Sequence, residues 1–431
     1  MILAKKKFRV CVHVMTLKRD FASRYVLGRL LEHYGCKVYY TCSRNFIRVV
    51  KYWKPHALIH TTPTKLRPTA AACPDTSLFV YTGEGCEGQL KANEVKIFID
   101  DYVLKRTKRI YLWGSKTREK IFKELTEIGD NRLIQRAKDQ TFMPIMGYPR
   151  ADVSRYLSRK KDRTIGILGH LPLLNPLYIE PIVYRFFGEG ITYLKEIEAQ
   201  VRELICISKI IDYIIDHTKH NISLRPYPLE NTDAYRNSKN DNRQFSNPKY
   251  DGRITIDRTI DFSTWASRQN VIISTQSTAI SDAFIMGIPF VTIDNLAGNN
   301  EVFYRRTHIH KLLSEAAFVP KSFDELFQYL EKPEKIPIHK EKLKEFWDTE
   351  YALSRNGSPL NYVAQDVVKV LNDDHHDQKP LLLEFMLDFI DLLLFKREQK
   401  RQPAFVNFNY KKGYHPIDPE YDEIAERILN E

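Results

Sequence analysis

No two of the six cysteines (Cys11, Cys36, Cys42, Cys73, Cys86 and Cys206) stand at C-x-x-C spacing. That excludes a zinc ribbon, a dithiol redox motif and a disulfide scaffold. Four of the six lie in or beside apolar runs, so buried, reduced thiols in a cytoplasmic protein are expected. Long apolar runs are also missing. The most apolar stretch, Pro380 to Phe395, is broken by Glu384, Asp388 and Asp391 and is unsuited to spanning a bilayer. At the N-terminus Lys5, Lys6 and Lys7 precede an apolar stretch interrupted by His13 and Lys18, without a small-residue cleavage site, so no signal peptide is expected. Seventeen glycines in 431 residues exclude a collagen-like chain, and no short-period repeat points to a solenoid.

What is present suits an ordinary globular protein of two or three domains: 431 residues, 43% apolar and 28% charged. Lys and Arg number 66 against 54 Asp and Glu, a net charge of +12. Such a surplus favours an anionic partner: nucleic acid, a phosphorylated small molecule or an acidic membrane surface. Over this length it is equally compatible with a plain solvated basic surface. No basic-aromatic repeat or recognisable module supports nucleic acid, and none is expected as a partner.

Short apolar strands alternate with helical patterns through most of the chain, which predicts parallel, doubly wound sheets. Strands are expected at Phe8–Val14, Lys37–Thr41, Ala57–His60, Ser77–Tyr81, Lys96–Ile99 and Arg109–Trp113, with helices over Arg19–Tyr34 and Lys116–Ile128. A second run begins near Thr164. It has strands at Thr164–Leu168, Ile222–Leu224, Val271–Ile273 and Pro289–Ile293, and helices over Ile191–His217 and Thr278–Met286. The polar stretch Asn231–Arg253 reads as a long loop. The last hundred residues read as helical, with Asp377 capping a helix from Pro380 and Lys396, Arg397, Lys400 and Arg401 at its end.

The richest segment runs from Ile272 through Ser274, Thr275, Gln276, Ser277, Thr278 and Asp282 to Gly287 and Pro289. A buried strand turns through small hydroxyl residues directly into a helix, whose first N–H groups lack intrahelical partners. That arrangement can seat a phosphate, and Asp282, one turn on, can accept from a ribose. The bland alternative is ordinary helix capping. Gly166, Gly169 and His170 end the first strand of this run, where a glycine turn lets backbone approach a diphosphate or sugar. His170 is either part of that site or a structural histidine. Asp100-Asp101 are adjacent and point apart on a strand, and Asp374, His375, His376 and Asp377 precede a helix, so no metal site is expected.

The pattern Ser-x-x-Ala/Ser-x-Ser-Asp-Ala-x-x-x-Gly-x-Pro around Asp282 resembles the donor-nucleotide signature of GT-B glycosyltransferases, with aspartate where many members have glutamate. Gly147-Tyr148-Pro149-Arg150-Ala151-Asp152 is similar to the Gly-x-Pro-Arg-x-Asp element of surface-polysaccharide and teichoic-acid-type GT-B enzymes. Val80–Gly85, with Phe98–Asp101 and Tyr111–Ser115, resembles bacterial surface carbohydrate (capsule and polysaccharide) biosynthesis proteins. The resemblance spans Phe8 to Asp294. Arg225-Pro226-Tyr227-Pro228 stands where related enzymes carry Arg-Pro-His-Pro, so Arg225 is expected to fork onto donor phosphate while Tyr227 replaces the histidine.

The resemblance implies an α/β, GT-B-like protein with two Rossmann-like domains facing across a cleft. An acceptor domain would cover 1–155, a nucleotide-sugar donor domain 156–325, and helices over 326–431 would pack across both. It implies a metal-independent glycosyltransferase without a cofactor, moving a sugar from a nucleotide-sugar donor, a CMP-linked acidic sugar above others, to a surface polysaccharide or lipid-linked glycan. The implied donor-binding residues are Gly169, Arg225, Ser274, Thr275, Gln276, Ser277, Thr278 and Asp282, with Glu84, Glu87 and His170 catalytic. Glu84 is the preferred base, on a glycine-rich loop just past a strand end. A teichoic-acid-type glycerophosphotransferase and a sugar-nucleotide 2-epimerase share this architecture and stand as alternatives. A cytoplasmic enzyme touching the anionic inner membrane face through Lys396, Arg397, Lys400 and Arg401 is the expected location.

Overall fold

The computed structural model describes residues 8–15, 17–42, 46–61, 66–83, 101–129, 131–159, 164–175, 190–227, 230, 250, 252–257, 259, 261–275, 277–299, 315–374 and 420–431. The chain divides into two compact units, Met1–Leu157 with Glu345–Glu431, and Ser158–Lys344. The boundary between the units at 344/345 falls within the region 326–431.

In the first unit the order is β1 (Arg9–Val14), α1 (Leu17–His33), β2 (Lys37–Cys42), α2 (Phe46–Trp53), β3 (Ala57–His60), α3 (Leu66–Ala72), β4 (Ser77–Tyr81), α4 (Asp101–Arg106), β5 (Thr107–Tyr111), α5 (Ser115–Ile128), α6 (Asn131–Lys138) and α7 (Ala151–Tyr156). The five strands form one parallel sheet in the order β2-β1-β3-β4-β5. β3 and β4 are buried along their whole length, as parallel strands covered on both faces must be. The strand expected at Arg109–Trp113 lies two residues earlier. Trp113 leaves the ladder because its indole N–H donates to Thr82 O (3.1 Å) and its ring meets Tyr148 and Tyr351 edge-on. Lys96–Ile99 falls outside the described residues.

The second unit contains β6 (Thr164–Leu168), α8 (Ile191–His217), β7 (Asn221–Arg225), β8 (Ile254–Ile256), α9 (Phe262–Ala266), β9 (Val271–Ser274), α10 (Ala279–Ile285), β10 (Phe290–Thr292) and α11 (Phe323–Leu330). Its sheet is again parallel, in the order β10-β9-β6-β7-β8. Ile165, Ile167, Ile222, Leu224 and Ile273 form its core with Ile207, Ile210 and Ile214 of α8. In each sheet the winding reverses once, between β1 and β3 and between β6 and β9. Ligands of open α/β sheets bind beyond the strand ends at such reversals.

After residue 344 the chain returns to the first unit. There α12 (Pro359–Asp373) and α13 (Glu420–Asn430) both pack on α1. This explains why α1 is buried nearly all round, with Phe21, Ala22, Tyr25, Val26, Leu27, Leu30 and Leu31 and also the polar Asp20, Ser23 and Arg24 out of water. Gly114 admits the same return, since a β-carbon there would stand 2.1 Å from Thr349 O. Asp374, at the end of α12, is salt-bridged to Lys108 (2.8 Å) and accepts from Ser77 Oγ (3.2 Å). His375, His376, Asp377 and the stretch 380–401 lie outside the described residues. Among the described residues no helix is long and apolar enough to cross a membrane. Cys11, Cys36, Cys73 and Cys206 are buried, and burial pushes the Cys73 and Cys206 thiols up to about 11 and about 12.

Candidate functional site

The ends of β6, β7, β9 and β10 form the crest of the second sheet. β6 runs into Gly169, whose N–H donates to Arg225 O (3.0 Å) and extends the β6–β7 ladder by one bond. His170 follows, half-buried, its ring edge-on to Tyr227 at 4.7 Å. Glu230 binds the two strand-end loops together: one carboxylate oxygen accepts from the backbone N–H groups of Leu171 and Tyr227, both at 2.9 Å. Beside β6, Ser274 ends β9 and its hydroxyl reaches Leu168 O at 3.5 Å, with Thr275 next in sequence.

Beneath this crest lies Glu203 of α8, fully buried. The His170 backbone N–H and the Thr275 side chain face its carboxyl and favour the charged form, yet neither completes a hydrogen bond of normal geometry with either oxygen. Burial, and then the carboxylates of Asp294 and Glu230, push the Glu203 carboxyl well above the usual range. Sequence reasoning did not single out Glu203, Glu230 or Asp294. The available signal was Glu203 itself, a charge set among the apolar positions 199, 206, 207 and 210 of one helix face.

The residues expected from sequence divide by exposure. Gly169, Ser274 and Thr275 are buried at the adjacent ends of β6 and β9, and His170, Ser277 and Thr278 are half-exposed. Ser277 Oγ accepts from Ala279 N (3.2 Å) and so caps the first turn of α10, while Thr278 makes no capping bond. Asp282 is fully buried within α10. The Arg225 guanidinium is buried too, ion-paired with Asp257, donating to Thr259 O (2.8 Å) and lying over the Trp265 ring at 5.7 Å. Gln276, Glu84 and Glu87 lie outside the described residues. Gly166 serves packing: a β-carbon there would meet the Trp265 ring at 2.8 Å, and Trp265 donates to Ser223 Oγ (2.8 Å). Among the described residues no group of three or more His, Cys, Asp or Glu side chains is arranged to hold a metal ion.

The first sheet has its own crest. His13, near the end of β1, and His60, at the end of β3, stack at 4.4 Å and are fully buried. Thr61 fixes the pair, its hydroxyl meeting His13 Nδ1 and donating to His13 O (3.0 Å). Arg24 of α1 is buried alongside β4, donating to Tyr81 O and lying over the Tyr81 ring at 4.9 Å. Gly83 N donates to Thr61 O (3.0 Å), which holds the beginning of the glycine-rich run on this crest. The histidine pair was also missed. Its signal was two histidines at matching ends of neighbouring apolar strands.

The Gly-x-Pro-Arg-x-Asp element is occupied by packing. Gly147 O accepts from Tyr81 Oη (2.9 Å), Tyr148 stacks on Tyr351 at 4.3 Å, and Arg150 donates to Tyr148 Oη. Asp152 accepts from Ser358 and Leu360 at the start of α12. The element fastens the returning chain to the first unit.

No protein-family model and no curated protein matches the sequence. Among solved structures, the wall teichoic acid polymerase TagF is similar at 13% identity and a TM-score of 0.51, over 87% of this chain and 91% of that one. A TagF variant soaked with CDPG gives 11% and 0.52, over 86% and 91%. The UDP-GlcNAc 2-epimerase of Methanocaldococcus jannaschii, in complex with UDP-GlcNAc and UDP, gives 12% and 0.46, over 84% and 99%. At such identities the likeness is one of fold. The TagF structures and the two parallel five-stranded sheets bear out the α/β, GT-B-like fold class.

Proposed function

We propose that the protein is a glycosyltransferase that takes a sugar from a nucleotide-activated donor and passes it to a surface polysaccharide or lipid-linked glycan. The observation that carries this reading is the crest at the β6–β9 reversal. Gly169, His170, Ser274 and Thr275 stand at the adjacent ends of β6 and β9, and Ser277 and Thr278 are partly open beside them. An anionic nucleotide is favoured at such a crest, with backbone N–H groups and hydroxyls as its partners. On this reading the nucleotide-sugar is a substrate and no cofactor or metal takes part. The leaving phosphate rests on the Ser274–Thr278 turn, and Glu84, following the Thr82-Gly83 turn of the first unit, takes the acceptor proton. A CMP-linked acidic sugar is the donor we favour.

A second reading is transfer of glycerophosphate from a CDP-activated donor. Its support is the fold likeness to TagF at a TM-score above 0.5, including the structure soaked with CDPG. One screen separates the two. Melting temperatures are measured with CMP-, CDP-, UDP- and GDP-linked sugars and with CDP-glycerol, since a ligand at 100 times its Kd stabilises by about 2.7 kcal/mol. A rise with a nucleotide-sugar supports glycosyl transfer, and a rise with CDP-glycerol alone favours the second reading. No rise with any of them overturns both. Turnover unchanged by EDTA is the expected companion result.

A further inference from the structure

α8 is apolar on two sides. Cys206, Ile207, Ile210 and Ile214 pack into the core of the second unit. On the opposite side Ile191, Leu194, Val201, Leu204 and Ile205 stand in water, the last two 42% and 52% exposed. Among the described residues most of the exposed large hydrophobic side chains belong to this one face. A helix apolar all round is normally covered all round, and a contiguous patch of this kind marks an interaction surface. The spacing says what kind. Leu194, Ile197, Val201, Leu204 and Ser208 follow one another at intervals of three, four, three and four residues. That is the row with which one helix packs along another, here about 21 Å long. Ile197 is half-buried and Ser208 exposed. One flank of the row, formed by Tyr193, Gln200 and Ile207, is buried in the unit itself. The other flank is open and carries Lys195, Glu198, Arg202 and Lys209.

We propose that this face of α8 joins two copies of the chain, with the two α8 helices antiparallel about a twofold axis. Charge selects the occupant. The open flank holds both signs: Glu198 is paired with Arg202 of its own helix, and Lys209 lies over the Phe323 ring at 5.2 Å. In an antiparallel pair with Val201 of each copy opposite Leu204 of the other, Ile197 meets Ser208. The open flanks then face each other, and Glu198 of one copy comes alongside Lys209 of the other, twice over. In a parallel pair the open flank would face the partner's Tyr193, Gln200 and Ile207 side, which the core already fills. An anionic bilayer would draw Lys195 and Lys209 but repel Glu196 and Glu198. The face therefore complements itself better than it complements lipid, and burial of its Leu, Ile and Val side chains drives the pairing. The pairing does not depend on the reaction proposed above.

Sedimentation equilibrium of the full chain, from about 1 to about 100 μM, tests it. Wild type should approach twice the chain mass at the upper end. A twofold interface feels every change twice, so Leu204→Glu should weaken association by about 100-fold or more. As Leu204 is already partly in water, the far-UV spectrum of that variant should match wild type. Glu198→Lys and Lys209→Glu should each associate poorly alone, because like charges then meet across the axis. An equimolar mixture of these two variants should recover the dimer, since both cross-axis contacts are again between opposite charges. A wild type that is monomeric at every concentration overturns the proposal, as does a dimer that Leu204→Glu leaves intact. A mixture that stays monomeric overturns the antiparallel arrangement. A monomer that floats with anionic liposomes, and stops floating with Leu204→Glu, overturns the proposal and assigns the face to lipid.

Discussion

The Asp152 carboxylate accepts a 2.6 Å hydrogen bond from the Ser358 hydroxyl, across 206 positions of sequence. The same oxygen accepts from Leu360 N at 3.0 Å, and Ser358 in turn caps α12 by accepting from Asn361 N at 3.0 Å. A motif that reads as a junction element is therefore the anchor for the helix that covers α1.

The anchor has a pH signature. Burial pushes the Asp152 carboxyl up to about 6 against the pull of Ser358, Leu360 and Arg155. The folded state thus holds a proton that the unfolded chain, with its carboxyl near 3.8, has already released. Stability from this group is complete below about 4 and declines as pH rises to about 6, by roughly 3 kcal/mol. Asp152→Asn should remove that decline in melting curves recorded from pH 4 to 7. Asp152→Ala strands the Ser358 hydroxyl and the Leu360 N–H and should cost about 1–3 kcal/mol. Equal pH dependence of wild type and Asp152→Asn would show that Asp152 is not the buried titrating group.

Gly166→Ala tests whether this glycine makes room for Trp265 or for a ligand. The added methyl would press on the Trp265 ring, and overpacking of this kind costs about 1–3 kcal/mol. The expected result is a lowered denaturation midpoint with nucleotide affinity kept. Unchanged stability with lost affinity would return Gly166 to the ligand side.

These residues show why parts of the fold were legible and parts were not. The strands of both parallel sheets were visible because burial on both faces makes each a short continuous apolar run, as in Ser77–Tyr81 and Thr164–Leu168. β8 was not, being three residues long and following a polar stretch. The crest hydroxyls were found because a strand-to-helix turn has a local signature. Glu203, Glu230 and Asp294 come from separate elements, and His13 and His60 from two strands, so only the folded chain brings them together. Gly166 looked like a ligand turn because a missing side chain serves packing and binding alike, and only its neighbour Trp265 distinguishes them.

Arg225 and Asp257 form a buried ion pair, with side chains 8% and 10% exposed. Removing one partner of such a pair leaves an uncompensated charge and typically costs about 3–5 kcal/mol. Asp257→Asn should therefore destabilise strongly in denaturant melts, and Arg225→Met less, because Thr259 N and Oγ1 still donate to the Asp257 carboxylate. The combined Arg225→Met, Asp257→Leu protein should be more stable than Asp257→Asn alone. Strict additivity of the two changes would show that the pair is not coupled.

The last prediction concerns the membrane. If the acceptor is the lipid-linked glycan of the proposed function, the protein has to meet it at an anionic surface. The sequence supplies a net charge of +12 and a basic group of Lys396, Arg397, Lys400 and Arg401 after the Leu- and Phe-rich stretch 380–395. Each basic side chain near an anionic leaflet contributes about 1 kcal/mol, so four give weak attachment that salt screens. The negative charges of Glu384, Asp388 and Asp391 in the same stretch oppose it. Wild type should float with anionic liposomes at low salt and be released at high salt. The protein with all four basic residues changed to Gln should stay at the bottom of the gradient under both conditions. Equal flotation of the two proteins, or none by the wild type at low salt, removes the membrane role.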